Sequence, residues 1–324
     1  MRLYPLTFNP ILKERVWGGR KLERLYGKPL PAVSPVGESW EISDRPGDVS
    51  IVAQGPLAGW DLHSLIEKFG RELTGKARLC AGRFPLLIKI LDARERLSLQ
   101  VHPPAGKAAS LGGEPKTELW YVAEAEPGAE LYVGLKRGCT REEFTRRIHD
   151  GTVEHCFHRA RVRAGDVMFL PSGRVHALGA GLVIFEIQQN SDTTYRVFDW
   201  NRLGLDGKAR PLHIEQSLAS IDFEDFEPEL VRSPGSQERV TLVRDPLFTV
   251  ESINLPSNGK LRLEPGTMQV LGIVSGEAQV QGNAMNVDLR HGQFCLVPAG
   301  LTEVLVGTST GARMLRVQAG EAPP

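Results

Sequence analysis

Over most of this chain apolar and polar positions alternate with a period of two, the pattern of strands with one buried face. The segments LSLQVH, TELWYVAEA, AELYVGL, GDVMFLP, GLVIFEIQQ and TTYRVFDW all read this way. Helical spacing predicts only three elements. In DLHSLIEKFGRELTG, Leu62, Leu65, Ile66, Phe69 and Leu73 recur along one face and Gly75 follows the end. In TREEFTRRIHDG, Thr140 stands as the cap with Glu142 and Glu143 in the first turn. PLHIEQSLASID opens on Pro211. The polar stretch EPELVRSPGSQERV (227–240) predicts a linker, and beyond it the chain is strand-like as far as Val317. The expectation is a mainly β protein with a few decorating helices, divided into residues 1–232 and 233–324.

One frame occurs twice. Gly165-Asp-Val-Met-Phe-Leu-Pro171-Ser-Gly173-Arg-Val-His176 reads G-x5-P-x-G-x2-H, and Gly292-Gln-Phe-Cys-Leu-Val-Pro298-Ala-Gly300-Leu-Thr-Glu303 reads G-x5-P-x-G-x2-E. Each predicts a strand, a Pro-x-Gly turn and a return strand, with Gly173 and Gly300 supplying a backbone conformation that other residues resist. The second copy carries Glu303 where the first carries His176, and so lacks that metal-type side chain.

Composition narrows the functional classes. Thirty-nine Lys and Arg balance 39 Asp and Glu, so no net field recruits nucleic acid or an acidic membrane surface. MRLYPLTFNP has no apolar signal region, and FPLLIKIL is too short to span a bilayer and carries Lys89. Cys80, Cys139, Cys156 and Cys295 form no CxxC pair, which argues against a thiolate zinc site and for reduced thiols in a cytoplasmic protein.

The chemistry concentrates on a few strands. In Leu97-Ser-Leu-Gln-Val-His102 the period of two sets Ser98, Gln100 and His102 on one face, opposite Leu97, Leu99 and Val101. Glu118 follows sixteen residues after His102, sharing a face with Trp120 and Val122. His176 arrives after the Pro-x-Gly turn. An amide, two imidazoles and a carboxylate form an N/O donor set for a divalent metal, without the thiolates of a structural site. In GLVIFEIQQN, Glu186 shares a face with Leu182, Ile184 and Gln188, a carboxylate whose burial would raise its pKa toward that of a general base unless a basic partner holds it.

G-x5-P-x-G-x2-H is similar to the second motif of the cupin barrels, and H-x15-E lies where their first motif sits. The stretches PILKERVWGG, GESWEIS, FPLLIKILDARERLSLQVHP, PKTELWYV, FLPSGRVHALGAGLVIFEIQQNSDTTYRVFDW and KARPLHIEQSL resemble the type I mannose-6-phosphate isomerases in their short bacterial form, from about residue 5 to about 222. The C-terminal part resembles that family's metal-free cupin domain more loosely. The resemblance implies two cupin barrels with jelly-roll-like sheets, and one Zn²⁺ per chain held by Gln100, His102, Glu118 and His176. It implies a zinc-dependent interconversion of mannose 6-phosphate and fructose 6-phosphate through a cis-enediolate. Arg196 matches the family's essential arginine, Lys89 its lysine in the strand before Gln-x-His, Lys116 the lysine before its Glu ligand, and Ser98 the serine preceding the ligand strand's Gln.

Two assignments stay open at this level. The general base is either Glu186 or Lys116, whose pKa proximity to Zn²⁺ would depress. The phosphate is held by side chains, since no Gly-rich phosphate loop is present; Lys89, Arg196 and Ser98 are the candidates. The expected partner is a small sugar phosphate, with the chain a monomer or small homo-oligomer. The same ligands also suit an Fe(II)-dependent cupin oxygenase or a non-catalytic sugar-phosphate-binding protein.

Overall fold

The structure is a computed structural model and describes residues 2–232, 235, 237–282 and 285–322. Part of the expected linker (233, 234 and 236) and residues 323 and 324 lie outside the described residues.

Two antiparallel sheets face each other in the first unit. One has six strands in the order Ile11–Gly19, Val36–Ile42, Leu86–Ala93, Leu182–Gln189, Glu118–Ala125 and Val167–Leu170. The other has five: Tyr195–Phe198, Leu99–Val101, His176–Leu178, Glu130–Leu135 and Phe157–Arg161. A further eight-stranded sheet is built from Arg239–Arg244 to Ala312–Ala319. The mainly β architecture is as expected, and the N-terminal strands Ile11–Gly19 and Val36–Ile42 extend the six-stranded sheet. Ahead of them, Leu6 bridges to Leu296 in the C-terminal sheet.

Alternation decides which side chains fill which space. Trp17, Leu91, Trp120, Val122, Leu131, Val133, Leu182 and Ile184 point between the two sheets and form the barrel core. Their strand neighbours Ile90, Tyr121, Val183, Phe185 and Ile187 point the other way, into the larger core shared with Phe294, Leu296 and the rest of the C-terminal sheet. Phe185 and Phe294 meet edge to face at 5.3 Å. Outside the five-stranded sheet, Leu99, Val101 and Val197 pack under Phe144 and Ile148 of the helix Arg141–His149, with buried Cys139 and Cys156 in the same cluster. At 25 cal/mol per Å² each such apolar side chain contributes about 1.5–3 kcal/mol.

The helices differ from expectation in detail. Thr140 accepts from the Glu143 N–H as the cap foreseen. The first predicted helix breaks at Gly70 (φ +49°) into Leu62–Phe69 and Arg71–Thr74. The third begins at Ile214, three residues after Pro211. Lys21–Tyr26 and Ala105–Ala108 are too short to show a helical period. In the repeated frame Gly165, Gly173 and Gly292 have φ of +91°, +95° and +76°, but Gly300 is not in the left-handed region. Gly300 is needed for space instead, since a Cβ there would lie 3.0 Å from Glu72 Cγ and the Glu72 carbonyl oxygen.

Candidate active site and metal centre

Strand register assembles the site between the two sheets. In the five-stranded sheet Arg196 pairs with Gln100, and Gln100 with His176, which puts all three in one cross-strand row. In the six-stranded sheet a second row runs Trp40, Lys89, Glu186, Trp120. Glu118 lies on that sheet opposite Gln188. Two sheets therefore converge on one point from opposite sides.

At that point His102, Glu118 and His176 are buried, with ligand atoms all within 4.8 Å of one another. His102 Nε2 lies 3.5 Å from Glu118 Oε2, and His176 Nε2 lies 3.3 Å from Glu118 Oε1. The Gln100 amide reaches the same place, 3.3 Å from His176 Nε2. Donors about 2.0–2.2 Å from a tetrahedral ion are separated by roughly 3.3–3.6 Å, so these spacings fit a metal.

The environment prepares the donors. His102 Nδ1 donates to the Thr193 carbonyl at 2.8 Å and His176 Nδ1 to the Arg174 carbonyl at 2.9 Å. A carbonyl oxygen only accepts, so each Nδ1 carries the proton and each Nε2 keeps its lone pair turned inward. Burial pushes the His102 pKa down to about 4, helped by the Lys116 charge, and burial likewise lowers His176. Both rings are neutral at pH 7. Burial alone would raise Glu118, but Lys116 and the two imidazoles outweigh it and hold the carboxylate well below its usual range. Neither Glu118 oxygen has a well-aligned hydrogen bond despite full burial, although Lys116 Nζ stands 2.7 Å from Oε2. An anion left so under-satisfied is the position a cation fits.

Arg174 anchors the turn that delivers His176. Its guanidinium forks onto Asp225 at 2.8 and 2.7 Å and donates to the Phe169 carbonyl at 2.7 Å. Gly173 N–H meets the His102 carbonyl at 2.9 Å, tying the turn to the other histidine strand. In the second copy of the frame Glu303 is exposed.

Above the four donors opens a cavity of about 540 Å³, lined by Gln100, Lys116, Glu186, Lys89, Ser98 and Arg196 among others. All the residues expected at the site therefore meet either in this cavity or in the cluster beneath it. Glu186 accepts from Trp120 Nε1 at 2.8 Å and faces Lys89 Nζ at 3.2 Å. It is thus both cavity-lining and paired with a lysine. Lys89 also faces Glu38 at 3.9 Å and lies over the Trp40 ring at 5.1 Å. Burial favours the neutral form of Lys116, but the Glu118 and Glu186 carboxylates outweigh it and favour the ammonium. Arg196 donates to the Pro211 carbonyl at 2.8 Å and makes no carboxylate pair among the described residues.

Sequence reading missed Thr193, Arg174, Asp225, Glu38 and Arg15. The first two act through carbonyls, which leave no side-chain signature. The Trp40 indole and Arg15 meet Glu38 at 2.7 Å each. Burial opposes ionisation of Glu38, but Lys89, Arg15 and Trp40 together push its pKa down to about 2.

Residues 6–117 match the family described as phosphomannose isomerase type I, catalytic domain. The mannose-6-phosphate isomerase of Streptococcus mutans is 36% identical over 298 residues, spanning 91% of this chain and 92% of that protein. The chain belongs to the type I phosphomannose isomerases. The crystal structure of the mannose 6-phosphate isomerase from Bacillus subtilis superposes with a TM-score of 0.86 at 30% identity, covering 98% of this chain and 99% of that one. A mannose 6-phosphate isomerase bound with zinc and yttrium shares the fold at 18% identity, with a TM-score of 0.75 over 98% of this chain and 100% of that one. Among the described residues no helix is long and apolar enough to cross a membrane.

Proposed function

We propose that this phosphomannose isomerase family member interconverts mannose 6-phosphate and fructose 6-phosphate with one Zn²⁺ held by Gln100, His102, Glu118 and His176. The observation that carries the reading is the buried Glu118 carboxylate set between two imidazoles whose Nδ1 atoms are both committed to carbonyls. One carboxylate and three neutral donors would leave a bound Zn²⁺ with residual positive charge and Lewis acidity beside the reacting carbons, worth several kcal/mol to a developing oxyanion.

The chain's own residues do the rest. A proton must leave C2 and return to C1 through a cis-enediolate. Of the two candidate bases we take Glu186 as the acceptor, because its carboxylate lines the cavity while Lys116 Nζ stands against the Glu118 carboxylate at 2.7 Å. Trp120 fixes Glu186 Oε1 by its indole N–H, and Oε2, which faces Lys89 Nζ at 3.2 Å, is the oxygen that exchanges the proton. Lys116 lines the cavity as a cation beside Glu118 and stabilises negative charge on the sugar oxygens. Arg196 adds a second cation from the opposite sheet. The charge of Lys89 is matched inside the protein by Glu186 and Glu38, so Lys89 and Ser98 serve the sugar hydroxyls.

A coupled assay with mannose 6-phosphate, with and without chelator, tests the reading together with His102→Ala and Glu118→Ala. Turnover and metal content should fall together in both variants. Oxygen uptake without sugar-phosphate turnover would instead favour the Fe(II) oxygenase.

A further inference from the structure

The basic groups at the floor of the cavity are matched one to one by close carboxylates, and two arginines also line it. Lys116 faces Glu118, Lys89 faces Glu186 and Glu38, and Arg15 faces Glu38. Of the lining arginines Arg196 makes no carboxylate pair among the described residues, and Arg210 shares Asp199 with Arg202, which lies behind it. Arg210 forks onto Asp199 through Nε and one terminal nitrogen, both at 2.6 Å. Arg202 takes the same carboxylate at 2.7 Å. Its other acidic neighbour, Glu95, is half exposed and 3.8 Å away. Arg196 has a buried Nε with no partner. Asp192 and Asp206 also line the cavity, but neither makes an ion pair with these arginines, and Asp206 accepts the Lys208 N–H. Arg196 and Arg210 thus bring two guanidinium groups side by side into the cavity lining, the charge-assisted donors that a phosphate monoester of about −1.5 to −2 at neutral pH requires.

The two arginines are also held in place. Arg196 donates to the carbonyl of Pro211, the residue after Arg210, while the His213 N–H donates to the Arg196 carbonyl at 2.8 Å and the Arg196 N–H donates to His213 Nδ1 at 3.1 Å. The loop turns through Trp200 and Asn201, both at positive φ (+58° and +53°), a conformation held by the Trp200 indole on the Leu97 carbonyl at 2.7 Å. Arg210 is thereby fixed next to Arg196, lines the cavity, and keeps one terminal nitrogen without a hydrogen bond among the described residues.

We infer that Arg210, clamped by Asp199 and standing beside Arg196, anchors the phosphate of the substrate and sets the preference for a phosphorylated sugar. This rests on the sugar-phosphate reading of the site. Asp199 acts as a positioning residue, holding the guanidinium planar to the cavity so that its free edge meets phosphate oxygens.

The test uses the metal-loaded enzyme and Arg210→Gln, Arg210→Lys and Asp199→Asn. Loss of a charge-assisted hydrogen bond to a dianion corresponds to roughly a 10- to 100-fold change in binding. Arg210→Gln should raise KM for mannose 6-phosphate by that factor, with kcat moving far less. The inhibition constant of inorganic phosphate should rise in parallel, and metal content should hold. Arg210→Lys should recover part of the loss, and Asp199→Asn should raise both constants by a smaller factor. Unchanged KM and unchanged phosphate inhibition in folded Arg210→Gln would overturn the assignment, as would a defect confined to kcat. If Arg210→Gln does not fold, the same two constants in Arg210→Lys decide, since a lysine cannot hold the Asp199 fork. A wild-type protein that binds inorganic phosphate through Arg210 yet turns over no mannose 6-phosphate would sink the functional reading and not this one.

Discussion

Replacing Glu186 with Gln isolates the proton-transfer step. The new amide oxygen can still accept from Trp120 Nε1, now 2.8 Å from Glu186, so the ring stays placed. What disappears is a negative charge 3.2 Å from Lys89, which keeps only Glu38 at 3.9 Å. A remaining partner limits the stability loss to about 1–3 kcal/mol, below the cost of a fully orphaned buried lysine. The chemical cost should be larger. Loss of a positioned general base slows the step by roughly 10²–10⁴-fold, or about 3–5.5 kcal/mol in barrier. The assay is proton NMR of mannose 6-phosphate in D₂O, following loss of the C2 proton signal, with metal content measured on the same sample. The variant should retain its metal and exchange the proton at least 100-fold more slowly. Exchange within about threefold of wild type would refute the assignment of Glu186 as the base.

Two further outcomes follow from the same contacts. Arg174→Gln removes the Asp225 fork that steadies the carbonyl behind His176, so zinc affinity, read by chelator competition, should fall about 10- to 100-fold; unchanged affinity would count against the turn as a metal-positioning element. Glu38 has its pKa lowered from 4.5 to about 2, so its stabilisation is complete above the unfolded value and is lost as pH falls through the folded one. Urea unfolding should therefore show wild type losing about 3 kcal/mol more than Glu38→Gln between pH 4.5 and 2, and parallel curves for the two proteins would contradict this.

The sequence showed most where one strand face had to be explained. Gln100 and His102 were legible because a period of two puts both on the face opposite Leu99 and Val101, and the structure keeps that division. Glu186 was legible for the same reason, since Leu182 and Ile184 point into the barrel with it while Val183 and Phe185 face the C-terminal sheet. What alternation cannot show is which distant strands meet. The register of Arg196 against Gln100 and of Gln100 against His176 is a tertiary fact, and only the family resemblance anticipated those partners. The acceptors behind the histidines are main-chain carbonyls of Thr193 and Arg174, which any residue could supply. Asp199 and Arg210 sit in a loop without periodicity, where two ordinary surface-type residues become a clamp only through folding.

The central claim is that Gln100, His102, Glu118 and His176 hold a cation on which turnover depends. Metal analysis of protein purified without added metal, joined to the mannose 6-phosphate assay before and after chelation, tests it most directly. The account predicts about one zinc per chain, loss of turnover on stripping and its return on adding back zinc. Full turnover in protein stripped of metal would contradict it.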